Sequence, residues 1–242
     1  MEIDFSFLAN FSNAILILLT LIVWNKIRAI SGSLDIPDAK KKTISILSFL
    51  MLFGWLSLSF ILSSLDAYHV SPEIISIGVP LGFILPIIIG RHLMNNSITF
   101  QKILDKTPNE WLILIQIYRV VGVVFLFLLA QGLLPSLFAI PSGFGDIIVG
   151  FSAPIVAFFY IKKKSFSGQL AKLWNYAGIL DLAVAIGIGV LLAIPKPFSI
   201  ISTVPTTEIM TIYPMVLVPV FAVPMGMLLH MASLKKLSKK TF

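Results

Sequence analysis

Seven stretches of mostly apolar residues, divided by short polar segments, fill the chain at 5–24, 43–65, 74–94, 111–133, 144–161, 173–194 and 209–233. Each has about the 20 residues that an α-helix needs to cross a hydrocarbon core. None shows the ten-residue alternation of a transmembrane β-strand. The pattern predicts an all-α, seven-helix transmembrane bundle forming one domain over 1–242. The first stretch does not read as a cleaved signal peptide. Glu2 and Asp4 make its flank acidic, and no small-residue cleavage site follows Trp24.

Composition agrees. The chain is 57% hydrophobic and 12% charged, with a mean hydropathy of +0.98. A soluble domain carries about 25% charged residues, so that class is excluded. The net charge of +7 and pI near 9.6 raise nucleic acid as a partner, but the placement of the charges excludes it. Of the 18 Lys and Arg residues, 16 fall in segments on one side of the predicted bundle; Lys196 lies on the other and Arg119 inside a span. Positive charge concentrates on the cytoplasmic side, which puts the N-terminus out and the C-terminus in. The same segments are too short to hold a folded basic domain. Lys162, Lys163, Lys164 and the lysines of 235–240 read as topology determinants, with contact to anionic lipid as a second role.

Local signals punctuate the loops. Thr107, Pro108, Asn109 and Glu110 read as a capping box starting the fourth span, and Ser71, Pro72 and Glu73 as a similar start for the third. An offset of 68 residues superposes Gly54 on Gly122, Gly82-Phe83 on Gly150-Phe151, Pro86 on Pro154 and His92 on Tyr160. Phe221, Pro224 and His230 repeat the spacing of Phe83, Pro86 and His92. The offset predicts a leading helix followed by three repeated hairpins, spans 2–3, 4–5 and 6–7. Pro86, Pro154 and Pro224 interrupt helices and free backbone carbonyls, a feature of packing kinks and of transporter sites alike.

An ionisable side chain within a span costs a few kcal/mol and needs a partner or water. Arg119 in span 4 and Asp181 in span 6 lie at similar depth, which predicts a pair if those spans touch. Asn175, Gly178, Asp181, Ala185 and Gly189 share one small, polar helix face; Gln116, Arg119 and Gly122 form a shorter one. Asp146 reads as the opening of span 5, near an outer mouth shared with Gln131 and Glu208. Tyr118 precedes Arg119 in the chain, and Asn175 shares the helix face of Asp181. Arg119, Asp181, Tyr118, Asn175 and Asp146 are therefore the candidates for substrate binding or ion coupling. A purely structural Arg119–Asp181 pair is the competing reading.

Absences narrow the chemistry. The chain has no cysteine, which removes disulfides, thiolate metal sites and cysteine nucleophiles. No lysine lies within a span, so a retinal Schiff base is excluded. Three histidines in no metal-ligand pattern predict neither catalytic zinc nor a di-iron site. His92 and His230, placed at the inner ends, are weak candidates as haem ligands. Met210, Met215, Met225, Met227 and Met231 crowd span 7, where packing explains them better than Cu(I). No cofactor is expected.

The leading reading is a small permease or ion-coupled secondary transporter of a small-molecule ligand, surrounded by membrane lipid, in a bacterial cytoplasmic membrane. The alternatives are a non-catalytic receptor or membrane-complex subunit and, third, an intramembrane lipid-modifying enzyme using His92, Tyr160 and His230. The Gly78/Gly82 and Ala183/Gly187 pairs suit packing within one chain or in a homo-oligomer.

Overall fold

The computed structural model describes residues 5–70, 76–194, 199 and 201–239. Among these, all regular structure is helical. The elements are α1 (Phe5–Gly32), α2 (Asp38–Ser64), α3 (Gly78–Asn96), the short α4 (Ile98–Lys106) and α5 (Asn109–Leu114). A 3-10 segment (Ile115–Gly122) joins α5 to α6 (Val123–Ala130), and α7 (Ser136–Ile161) and α8 (Ser167–Ala193) follow. A 3-10 turn (Glu208–Thr211) and a π turn (Val218–Ala222) lead into α9 (Val223–Lys239). Seven segments are long and apolar enough to cross a membrane: α1, α2, α3, the composite Asn109–Ala130, α7, α8 and the composite Val218–Lys239. The chain is thus built as a multi-pass membrane protein with the predicted number of spans.

Boundaries moved where backbone signals were misleading. The fifth span begins at Ser136, a little over two turns before the expected start, because α7 runs on through Pro141. Pro141, the sixth residue of α7, forgoes a bond to the Leu137 carbonyl without ending the helix. The proposed capping box is not one. Thr107 ends α4, donating its hydroxyl to the Ile103 carbonyl at 2.8 Å, and Pro108 precedes α5 without a side-chain cap. Ser71, Pro72, Glu73 and Ile74 fall outside the described residues, as do Glu2, Asp4, Lys196 and Lys240.

The last span is the axis of the bundle. Of its most apolar stretch 67% is buried, against 11% for α2 and for α3. α3, α5 and α8 pack on α9, while α7 lies between the composite fourth span and α8. Spans 4 and 5 pack on each other, as do spans 6 and 7, but α2 packs chiefly along α1 and α3 along the last span, so the predicted hairpin of spans 2–3 is not a packing unit. Methionines in and just before the last span fill separate cores: Met225 with Phe221 and Leu112, Met215 with Phe138 and Leu134, Met227 with Leu182. That spread is packing, as expected.

Polar groups tie the spans together where the backbone is broken. Pro224 has no N–H to offer the Val220 carbonyl four residues earlier. Trp55 of α2 supplies the missing donor, its indole Nε1 bonding Val220 O at 3.2 Å. At one end of the bundle the basic tail closes two other helices. Lys236 Nζ donates to the Leu104 and Asp105 carbonyls at 2.8 Å, Lys239 Nζ meets Asp105 Oδ1 at 2.7 Å, and Lys235 bonds Asn95 and the Met94 carbonyl. Cations at helix C-termini satisfy the last carbonyls and the helix dipole.

Trp55→Phe should lower stability by about 1 kcal/mol, the usual net worth of one buried hydrogen bond. In a Pro224→Ala background the new backbone N–H takes over, and the penalty should shrink. A double-mutant cycle of thermal unfolding in detergent measures both; equal penalties in the two backgrounds would refute the assignment.

Candidate functional site

The 3-10 segment in the fourth span aligns its polar residues. At three residues per turn, Gln116, Arg119 and Gly122 stand directly above one another, whereas an α-helix would fan them over about 120°. All three are buried. The candidate site follows from this stripe, and from four spans that deliver their charged or polar residues to one depth. Arg119 is the eleventh residue of a 22-residue span, Asp146 the eleventh of 26, Asp181 the fifteenth of 27 and His230 the thirteenth of 22. Each is close to the middle of its span.

Arg119, with its side chain 1% exposed, is the hub. Its Nε donates to Asp146 Oδ1 at 2.7 Å and its Nη2 to Asp181 Oδ2. Its Nη1 faces His230 Nε2 at 3.2 Å and the Gly178 carbonyl at 3.4 Å. A guanidinium only donates, so His230 Nε2 must be the bare nitrogen and the ring proton sits on Nδ1. That proton goes to Asn175 Oδ1 at 2.9 Å. Asn175 Nδ2 in turn donates to the Ala171 carbonyl at 2.7 Å and to Ser233 Oγ at 3.0 Å. The chain of donors runs without conflict from guanidinium to α8 backbone, with His230 as a neutral imidazole. Trp174 packs on the His230 ring, centroids 5.1 Å apart.

Tyr118 and Gln116 fasten the same segment to the last span. Tyr118 Oη donates to the Ala222 carbonyl at 2.8 Å, at the end of the π turn, and Gln116 Nε2 to the Gly226 carbonyl at 2.9 Å.

Four glycines make room for four polar side chains. A Cβ on Gly122 would strike the Asp146 side chain, one on Gly145 the Asp181 carboxylate, one on Gly178 the His230 imidazole and one on Gly226 the Tyr118 hydroxyl. Each glycine lies on a different span from the group it admits. A cavity of about 60 Å³ adjoins the network, bordered by Arg119, Asp146, Tyr118 and Ser12 among otherwise apolar residues. Its walls come from α1, the 3-10 segment and α6, α7, α8 and residues 215–223, so α1 joins spans 4 to 7 around it.

The structure thus brings all five sequence candidates together: Arg119 bonded to Asp181 and Asp146, Asn175 joined through His230, and Tyr118 beside Arg119. Asp146 differs from expectation. It lies within α7, bonded to Arg119, and does not open the span at an outer mouth; Glu208 pairs instead with His69 at 3.2 Å. His230 was read as interfacial and is wholly buried. The small residue at Gly178, within the Asn175/Asp181 face, is what makes room for the imidazole. The haem reading does not fit these residues, because both ring nitrogens of His230 are engaged and His92 is exposed, facing Asn96 at 3.1 Å. Among the described residues, no three His, Asp or Glu converge as a metal site.

Residues 74–238 match a family described as a domain of unknown function, DUF8737, and the chain belongs to that family. The matched region contains Arg119, Asp146, Asp181, Asn175 and His230. No curated protein and no solved structure matches the chain.

Counting charges predicts an asymmetry between variants. Asp146→Asn or Asp181→Asn leaves one guanidinium with one carboxylate and should fold, whereas Arg119→Gln leaves two carboxyl groups without their cation. The Arg119 variant should lose about 3–5 kcal/mol, the cost of stripping one partner from a buried ion pair. Gly145→Ala should cost about 1–3 kcal/mol by overpacking against Asp181. Size-exclusion profiles and thermal unfolding in detergent give the ranking; an Asp146→Asn loss as large as that of Arg119→Gln would contradict it.

Proposed function

We propose that the chain is a proton-coupled secondary transporter of a small molecule, a single seven-helix domain in a cell membrane with its N-terminus outside and its C-terminus inside. One observation carries this reading: a single guanidinium, mid-span beside a cavity, is bonded to two carboxyl groups. An ion pair that only fixes helix register needs one carboxylate. The second leaves a unit of negative charge in a medium that penalises it, to be neutralised by a proton or a positively charged ligand. Exchange of that neutralising charge between the two sides of the membrane is coupling.

Arg119 is the fixed charge in this mechanism, with Asp146 and Asp181 as the carboxyl groups that gain and lose the proton. Tyr118 and Asn175 position the hub. Interrupted helices support the reading, since a long 3-10 stretch or a π turn within a span marks a hinge or a functional site more often than a regular helix does. Tyr118 ties one such element to the other, so repacking of the π turn reaches Arg119 directly. The orientation rests on the 16 basic residues of one side. The competing reading, a receptor or membrane-complex subunit, is favoured by the full set of partners around the guanidinium, which suits a static strut.

Proteoliposomes carrying an imposed pH gradient and an internal pH dye decide between them. At least one class among amines, carboxylic acids, sugars and zwitterions should discharge the gradient. Asp146→Asn or Asp181→Asn should slow that discharge roughly tenfold or more, a barrier change of about 1.4 kcal/mol. A gradient unaffected by every class would leave the static strut. The cysteine-free chain also allows orientation to be read from single cysteines. Lys163→Cys should react with an impermeant maleimide only after permeabilisation and Ser202→Cys in intact cells, and the reverse pattern would invert the topology.

A further inference from the structure

We infer that the substrate is a small organic cation, an alkylammonium, and that it binds in exchange for a proton at Asp146. The inference rests on the transport reading above and adds the class of ligand and the group that exchanges it.

The charge count fixes the sign of the ligand. Every titratable or charged group around the Asp146 carboxyl has an assignable state from its hydrogen bonds. Arg119 is a cation, His230 is neutral because its Nε2 accepts, Tyr118 is a phenol donating to Ala222, and Asp181 is the second carboxyl group. With both carboxyls ionised, the cluster bears one net negative charge. A bound proton or a bound monovalent cation cancels it equally, and a site holding both would be positive. The two therefore exclude one another, which is the condition for exchange. An anionic ligand would deepen the imbalance.

The cavity selects between kinds of cation. A sodium or potassium ion needs several oxygen ligands to replace its water. The lining offers few: Ser12, Tyr118 and Asp146, among walls such as Ile15, Leu16 and Phe125. An alkylammonium needs one carboxylate for its head and apolar surface for its tail, with the Tyr118 and Phe125 rings as further attraction for the charge. A cavity of about 60 Å³ is small, which limits the tail to a short alkyl chain. Asp146 borders this space and Asp181 does not, so Asp146 is the carboxyl that meets the ligand. The step balances: the protonated Asp146 carboxyl and a free alkylammonium give the carboxylate–alkylammonium pair and one released proton.

The test titrates purified full-length protein in weakly buffered detergent with n-butylammonium chloride, following released protons with an indicator dye and binding by calorimetry. Saturable binding with one proton released per cation is expected, with affinity rising roughly tenfold per pH unit while the carboxyl is protonated. Sodium and potassium chloride should release none. Asp146→Asn should lose both signals while its unfolding temperature shows it folded. Binding without proton release, or binding retained in folded Asp146→Asn, overturns the exchange at Asp146. If n-butylammonium does not bind but another class discharges the pH gradient in proteoliposomes, the cation assignment falls and the transport reading stands. If no class discharges it, the transport reading itself fails.

Discussion

Arg119 carries a charge that no protein environment removes, and it carries it at the middle of a span. The guanidinium offers five N–H donors in a rigid fork, and leaving them bare in hydrocarbon is prohibitive. The bundle answers from three directions, with Asp146 on α7, Asp181 and the Gly178 carbonyl on α8, and His230 on α9. Much of the helix arrangement follows from that demand. The four spans must meet at one depth, and their backbones must approach closely enough for short side chains to reach. Glycine at 122, 145, 178 and 226 is how they do so. Small residues at helix contacts commonly serve packing alone; here each one admits a specific polar group.

The same economy appears where helices are broken. A carbonyl without its helical donor costs as much in a membrane as a buried orphan elsewhere, and water is not at hand to pair with it. Val220, beneath Pro224, is served by the Trp55 indole. Two further carbonyls of the last span, neither freed by a proline, also accept side-chain donors from the 3-10 segment: Ala222, at the end of the π turn, the Tyr118 hydroxyl, and Gly226 the Gln116 amide. These bonds join the last span to α2 and to the 3-10 segment. The irregular elements are thereby fastened to each other and to Arg119, so a change in one cannot leave the others unmoved.

The spans were legible in the sequence because hydrocarbon thickness fixes their length and the charge count leaves little else to build. The Arg119–Asp181 pair was legible for a related reason, since two opposite charges at equal depth have few other partners. Asp146 was misplaced because Pro141, Ser142, Gly143 and Gly145 carry the composition of a turn. Within a packed bundle the same residues continue a helix, with Gly145 admitting Asp181. His230 was hidden by its neighbours, because a histidine followed within a few residues by Lys235 and Lys236 resembles an interfacial residue. Placing it requires knowing that the last span is the axis of the bundle. The 68-residue offset repeats residues at kinks and turns, whereas the partners of α2 and α3 are decided by side-chain fit, which such an offset does not encode.

The family match and the cavity divide the molecule unevenly. Residues 74–238 contain the whole Arg119 network together with its glycines, so the guanidinium and its two carboxyl groups lie in the region that matches the family. Ser12, Ile15 and Leu16, which close one side of the cavity, lie on α1 outside that region. α1 packs mainly on α2, and α2 reaches the axis through Trp55 at the π turn. In the proposed mechanism the network sets the charge of the ligand, and a helix pair that leans on the network without entering it sets part of its size and apolar shape. A substitution at Leu16 or Ile15 changes the room beside Asp146 and leaves every bond to Arg119 in place, so ligand shape can diverge while the ion chemistry stays constant.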